Sequence, residues 1–148
     1  MFSQAYQNAV TNGKAYSWSN LTYNPAALDT ILTVCNDHPS LKLYIERVDF
    51  SADVASQYVI HLPAYATWAG TAVVGVCLDG SSDTATATAK CNETGQATRG
   101  SAIGGGSVLA SGESKNWISY KLGYQKAIGV DVVADVGGSL VSIYGYYA

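Results

Sequence analysis

Charge is what this sequence has least of. Only 13% of its 148 residues are Asp, Glu, Lys or Arg, and the net charge is −3. The eight basic residues are dispersed at Lys14, Lys42, Arg47, Lys90, Arg99, Lys115, Lys121 and Lys126. No basic run interleaved with aromatics occurs, so strong autonomous nucleic-acid binding is not expected. Long apolar runs are also missing, and none approaches the roughly 18 residues needed to span a bilayer. The opening MFSQAYQNAVTNGK has neither the charged n-region nor the apolar h-region of a secretory leader, so the chain reads as soluble and made in the cytosol. The three cysteines, Cys35, Cys77 and Cys91, are odd in number and in no metal spacing. They point to neither a disulfide framework nor a zinc site and read as small buried hydrophobes, with a Cys77–Cys91 bridge left open.

What is present is apolar and strand-forming. The chain is 48% hydrophobic, with 11 Tyr and 15 Gly against one Met. Such a composition can bury enough surface to fold, and its Thr, Val, Tyr and Ser content favours β-structure with many turns. The length suits one domain over residues 1–148, with residues 1–15 as an N-terminal arm free to flex.

One segment, Asn24 to Pro39, carries helix signals. Asn24 is a suitable cap, Pro25 suits the first helical position, and Asp29 sits early, where the dipole favours negative charge. Leu28, Ile31, Leu32 and Cys35 recur at i, i+3, i+4 and i+7, which predicts one short amphipathic helix ending at Pro39. Strand character marks Tyr16–Tyr23, Leu41–Phe50, Tyr58–Leu62, Ala72–Leu78, Trp117–Leu122, Ile128–Val136 and Leu140–Tyr147. The alternation of Leu41, Leu43 and Ile45 changes phase near Arg47-Val48, which predicts a bulge. Seven or eight strands and one helix imply a closed or two-sheet all-β architecture. Between Gly80 and Gly112 the chain is small and polar, reading as surface loops or edge strands, most flexible at Gly104–Gly106.

Catalytic signals are weak. His38 falls at the end of the expected helix and His61 on a strand, and neither has a carboxylate or nucleophile nearby in sequence at a diagnostic spacing. Gly104-Gly105-Gly106-Ser107 lacks the Lys-Ser/Thr ending of a phosphate loop. Two glycosylation sequons, at Asn20 and Asn92, are expected to carry no sugar in the absence of a leader. Asp79 and Asp83, in Leu78-Asp79-Gly80-Ser81-Ser82-Asp83, place two carboxylates in one turn and are the candidate metal ligands. Two are too few for the six to eight oxygens of Ca²⁺, so a neighbouring subunit would have to complete the shell. The alternative is an ordinary turn in which Asp79 bonds backbone amides and Asp83 is solvated.

Four stretches in order resemble the shell domain of coat proteins of small icosahedral RNA viruses, of the tombusvirus, sobemovirus, nodavirus and satellite-virus kind. They are Leu21-Thr22-Tyr23-Asn24-Pro25 with the segment that follows, His38 to Phe50, Ala69 to Asp83, and Val132 to Tyr146 with its Gly-containing turn and aromatic final strand. The resemblance implies a single jelly-roll β-sandwich of two antiparallel sheets with one short helix. It also implies self-assembly into a closed shell of about 60 identical copies or a multiple, enclosing a genome and without catalysis. Such a protein is made in host cytoplasm and resides in the virion. The family often holds Ca²⁺ between subunits, which gives Asp79 and Asp83 their expected role. Two departures stand out: Met1–Gly13 has none of the family's basic residues, and Ser51–Trp68 is longer than the usual connection. Genomic RNA is therefore expected to bind weakly if at all. The rival readings are a monomeric β-sandwich carbohydrate-binding module using Tyr and Trp to stack on sugars and, further behind, a small secreted hydrolase.

Overall fold

The computed structural model describes residues 1–20, 29–93, 100–134 and 137–148. Among these residues one helix, α1 (Gln4–Thr11), precedes eleven strands: β1 (Ala15–Ser19), β2 (Thr30–Asn36), β3 (Leu43–Ala52), β4 (Ser56–Leu62), β5 (Thr71–Val73), β6 (Val76–Cys77), β7 (Ala87–Glu93), β8 (Ser101–Val108), β9 (Gly112–Leu122), β10 (Ala127–Ala134) and β11 (Ser139–Tyr147). They form two sheets, ordered β6-β1-β11-β3-β9 and β5-β7-β2-β10-β4-β8. Every pairing is antiparallel. Without β5, β6 and β7 the orders reduce to β1-β11-β3-β9 and β2-β10-β4-β8. Counted from one to eight, that is 1-8-3-6 facing 2-7-4-5, the jelly-roll order of two interleaved Greek keys. The three extra strands come from the connection between β4 and β8 and extend both sheets on the same flank.

Alternating apolar residues from the facing sheets build the core. On β3 the inward residues are Leu43, Ile45, Val48 and Phe50, so the two-residue period slips once. The slip is a bulge at Glu46, seen as a register shift between Ile45 and Arg47, close to where the phase change predicted it. Phe50 stacks on Tyr58 of β4 at 4.4 Å between ring centroids. The Tyr58 hydroxyl donates to Ser114 Oγ at 2.7 Å and accepts from Asn116 Nδ2 at 2.7 Å, which satisfies a buried polar group across the sandwich.

The helix expected over 24–39 is corrected by the structure. Residues 30–36 are β2, a central strand between β7 and β10, and all seven are buried. A strand buried on both faces shows no alternation, so its apolar residues imitate helical spacing by chance. Thr30, Ile31, Thr33 and Val34 are β-branched and suit a strand better. Asn24, Pro25 and Leu28 lie outside the described residues, as do Leu21–Tyr23 of the first expected strand.

The helix the structure does show is α1, within the stretch expected to be a flexible arm. Ser3 caps it, accepting from the Tyr6 amide at 3.1 Å while its hydroxyl donates to Glu46 Oε1 at 2.7 Å. Tyr6 and Ala9 are buried against Ala15 and Tyr146, so α1 lies on the outer face of the five-stranded sheet.

The expected strand Ala72–Leu78 is two short strands in different sheets, β5 on β7 and β6 on β1. The crossing occurs at Val74-Gly75. A Cβ at Gly75 would lie 2.5 Å from Trp18 Nε1, so only glycine lets the backbone pass over that buried ring. The glycine run 104–106 is an ordered part of edge strand β8, paired with Tyr58–Ile60. Gly105 has φ +148° and lies against the Tyr58 carbonyl, a conformation and an approach that exclude a side chain.

Candidate functional site

The Asp79–Asp83 turn is built by short local bonds. Leu78 N–H donates to Ala15 O at 2.9 Å and extends the β6–β1 pairing by one residue. Asp79 Oδ1 then accepts from Ser81 N–H at 2.7 Å, and Ser81 Oγ accepts from Asp83 N–H at 3.3 Å. A Cβ at Gly13 would lie 2.7 Å from Asp79 Oδ2 and 4.0 Å from Asp83 Oδ2. Both carboxylates therefore gather at the corner where the chain leaves α1, and both are exposed. The Ser81 bonds hold the Asp79 carboxyl below its ordinary range. Beside them the Tyr16 phenol is pushed up, first by burial and then by Cys77 and the two aspartates. Hard oxygen donors suit Ca²⁺ in kind. In number they fall short, since among the described residues no group of three His, Cys, Asp or Glu side chains occurs.

A basic cluster that the sequence does not reveal lies at the same end of the molecule. Register pairs Leu43 with Leu122 and Tyr44 with Lys121, which brings Lys42, Lys121 and the β9–β10 turn together. A Cβ at Gly123 would be 3.8 Å from Lys42 Nζ and 3.9 Å from Lys126 Cγ. Lys121 and Lys126 flank a cleft of about 550 Å³ floored by Leu62, Pro63, Tyr120 and Leu122. All three lysines are exposed, and among the described residues none is ion-paired. The cations at positions 42, 121 and 126 come from two separate parts of the chain, which is why a linear scan finds no run.

On the outer face of the five-stranded sheet, aromatic rings enclose Arg47. Its guanidinium lies 4.6 Å from the Phe2 ring centroid, 5.0 Å from Trp117 and 4.5 Å from Tyr144. Arg47 Nε is 2.8 Å from Asp49 Oδ1. Phe2 also stacks on Tyr6 at 4.2 Å and meets the Trp117 ring edge-on at 4.9 Å, so this cage ties the N-terminal segment to the sheet.

His61 is sealed inside the sandwich, whereas His38 lines a shallow surface pocket beside Tyr16 and Tyr147. His61 Nε2 lies 2.9 Å from Asp131 Oδ1, with both side chains sealed from solvent. Gly100 N–H donates to His61 Nδ1 at 3.2 Å, so the ring's proton sits on Nε2 and points at the carboxylate. Thr30 Oγ1 donates to the same Asp131 oxygen at 2.8 Å. The group crosslinks β4, β10 and β2 beneath the surface. His38 follows a strand, not a helix, and its Nδ1 accepts from Leu41 N–H at 2.9 Å to shape the next turn.

The cysteines are free and buried, and burial pushes the Cys35 thiol up to about 12. Asn20, the first sequon asparagine, is buried and bridges to β11 by donating to Ser139 O and accepting from Val141 N–H. Its other sequon residues, Leu21 and Thr22, lie outside the described residues, as does Thr94 of the second.

The two flanks of the sandwich differ. On one, the sheets end in β5 and β6, of three and two residues. On the other they end in β8 and β9, of eight and eleven residues, whose outer edges have no strand partner among the described residues. Comparison of the chain with protein-family models, curated proteins and solved structures finds no match.

Proposed function

We propose that this chain is the coat subunit of a small icosahedral virus, a non-catalytic protein that assembles into a closed shell of about 60 copies or a multiple. The observation that carries the reading is the pair of long uncovered edges, β8 and β9, on one flank of a jelly roll. Isolated sandwiches usually blunt or cover such edges, and a shell subunit covers them with its neighbours. The low charge and the exposed Trp117, Tyr65, Tyr124 and Leu140 fit surfaces that become interface. In this reading the protein is made in host cytoplasm and resides in the virion, and RNA binds it weakly. The exposed Asp79–Asp83 carboxylates need a counter-charge where subunits meet. Ca²⁺ completed by a neighbour's oxygens is one source, and swelling of particles on chelation is its signature.

A carbohydrate-binding module would need a free aromatic platform. Trp117, the one exposed indole among the described residues, is engaged by Phe2 and Arg47, which weighs against it as that platform. Sedimentation velocity with negative-stain microscopy of the purified chain tests the proposal. Uniform closed particles or their pentameric fragments are expected, and monomers at every concentration and salt level would overturn it.

A further inference from the structure

We infer that the lysine cluster of one copy docks on the Asp79–Asp83 turn of the next, flank to flank, closing a ring about an axis along the strands. The inference rests on the self-assembly reading and names the contact by which it proceeds.

One rung of register partners carries the argument. Leu78 bonds to Ala15, Ala15 pairs with Tyr146, Tyr146 with Tyr44, and Tyr44 with Lys121. The rung crosses all five strands of the first sheet, a span of about 19 Å at the usual strand spacing. At one end the next residue is Asp79. At the other is Lys121, with Lys42 and Lys126 at the same end of the sandwich. The two patches therefore stand at the same height on opposite flanks. Moving a copy sideways, with a small rotation, brings positive against negative without any change of level. A heterologous contact of this kind closes into a ring when the rotation permits.

The charges on both patches are available. Asp79, Asp83, Lys42, Lys121 and Lys126 are all exposed, and none is ion-paired within the chain among the described residues. The uncovered β9 edge accompanies the lysines, whereas the acidic turn follows β6, only two residues long, so backbone pairing alone would fix the register poorly. Charge complementarity supplies that register and suppresses wrong partners. It also provides the counter-charge to the acidic turn without a metal.

The test uses charge reversal in the full chain. Lys121→Glu with Lys126→Glu, and separately Asp79→Lys with Asp83→Lys, are each expected to raise the concentration for half-assembly by about tenfold or more. The variant carrying all four substitutions restores opposite charge at the contact and is expected to return to within about threefold of the parent. Circular dichroism and thermal melts check that the variants fold, and the milder Lys121→Gln with Lys126→Gln should fall between parent and reversal. Double-reversal variants that assemble like the parent would overturn the inference, as would a four-substitution variant no better than the worse of them. So would a parent dispersed by calcium chelation while lysine reversal leaves it intact, or lysine reversal that lowers only RNA retention. A parent that is monomeric throughout removes the self-assembly reading itself. A parent that assembles indifferently to reversal removes only this contact.

Discussion

His61 and Asp131, 70 residues apart in the chain, meet at 2.9 Å inside the protein with no route to solvent. Their burial makes them a structural crosslink, and it makes each depend on the other. Removing one partner takes a hydrogen bond from a buried polar group, at a cost of about 1–3 kcal/mol. Asp131→Ala and His61→Ala should each lower stability by that order in urea denaturation. The double variant should lose less than the sum.

The cage around Arg47 predicts a local effect. Arg47→Ala removes three cation–ring contacts, worth about 0.5–2 kcal/mol in total for a partly desolvated site. Hydrogen exchange in residues 3–12 should accelerate, and Trp117 fluorescence should shift toward that of a solvated indole, while β2 and β10 keep their protection. Equal acceleration in the core strands would count against a role confined to the N-terminal segment.

Gly75→Ala sets a methyl group 2.5 Å from Trp18 Nε1, where the chain changes sheets. Overpacking at such a site costs about 1–3 kcal/mol. A lower urea midpoint with an unchanged slope is expected, whereas Gly80→Ala, in open space at φ +83°, tests backbone strain without a clash.

Alkali should destabilise the protein. Burial raises the Cys35 thiol from 9.0 to about 12, and it raises the Tyr6 and Tyr147 phenols as well. The folded state then holds protons that the unfolded state has already released, so stability is full below about pH 9 and falls as pH rises toward 12. Denaturation at pH 8 and pH 10.5 should show the drop, and Cys35→Ala should reduce its slope.

The strands with one buried face were legible from sequence. β3 shows its alternation and its bulge, and β11 and the second half of β9 appear near their true places, because a half-buried strand writes its period into the chain; β10, buried along nearly its whole length, was marked by its run of β-branched residues instead. β2 was not legible, since burial on both faces erases the period that distinguishes strand from helix. α1 was missed because its binding face, Phe2, Tyr6 and Ala9, is too short to register as a stripe. The closeness of Asp79 and Asp83 follows from a five-residue turn and could be read directly. The lysine cluster and the His61–Asp131 pair depend on register between distant strands, which no local pattern encodes.

The short strands contributed by the connection between β4 and β8 act as stoppers. A sandwich with two long bare flanks could stack sideways without limit, as amyloid ribbons do, each arrival presenting a fresh template. Here one flank offers runs of only three and two residues, too few backbone groups to seed another sheet. Growth by backbone pairing therefore loses its template after a single addition. Backbone pairing alone should stop at pairs of chains until some other force brings further copies into register.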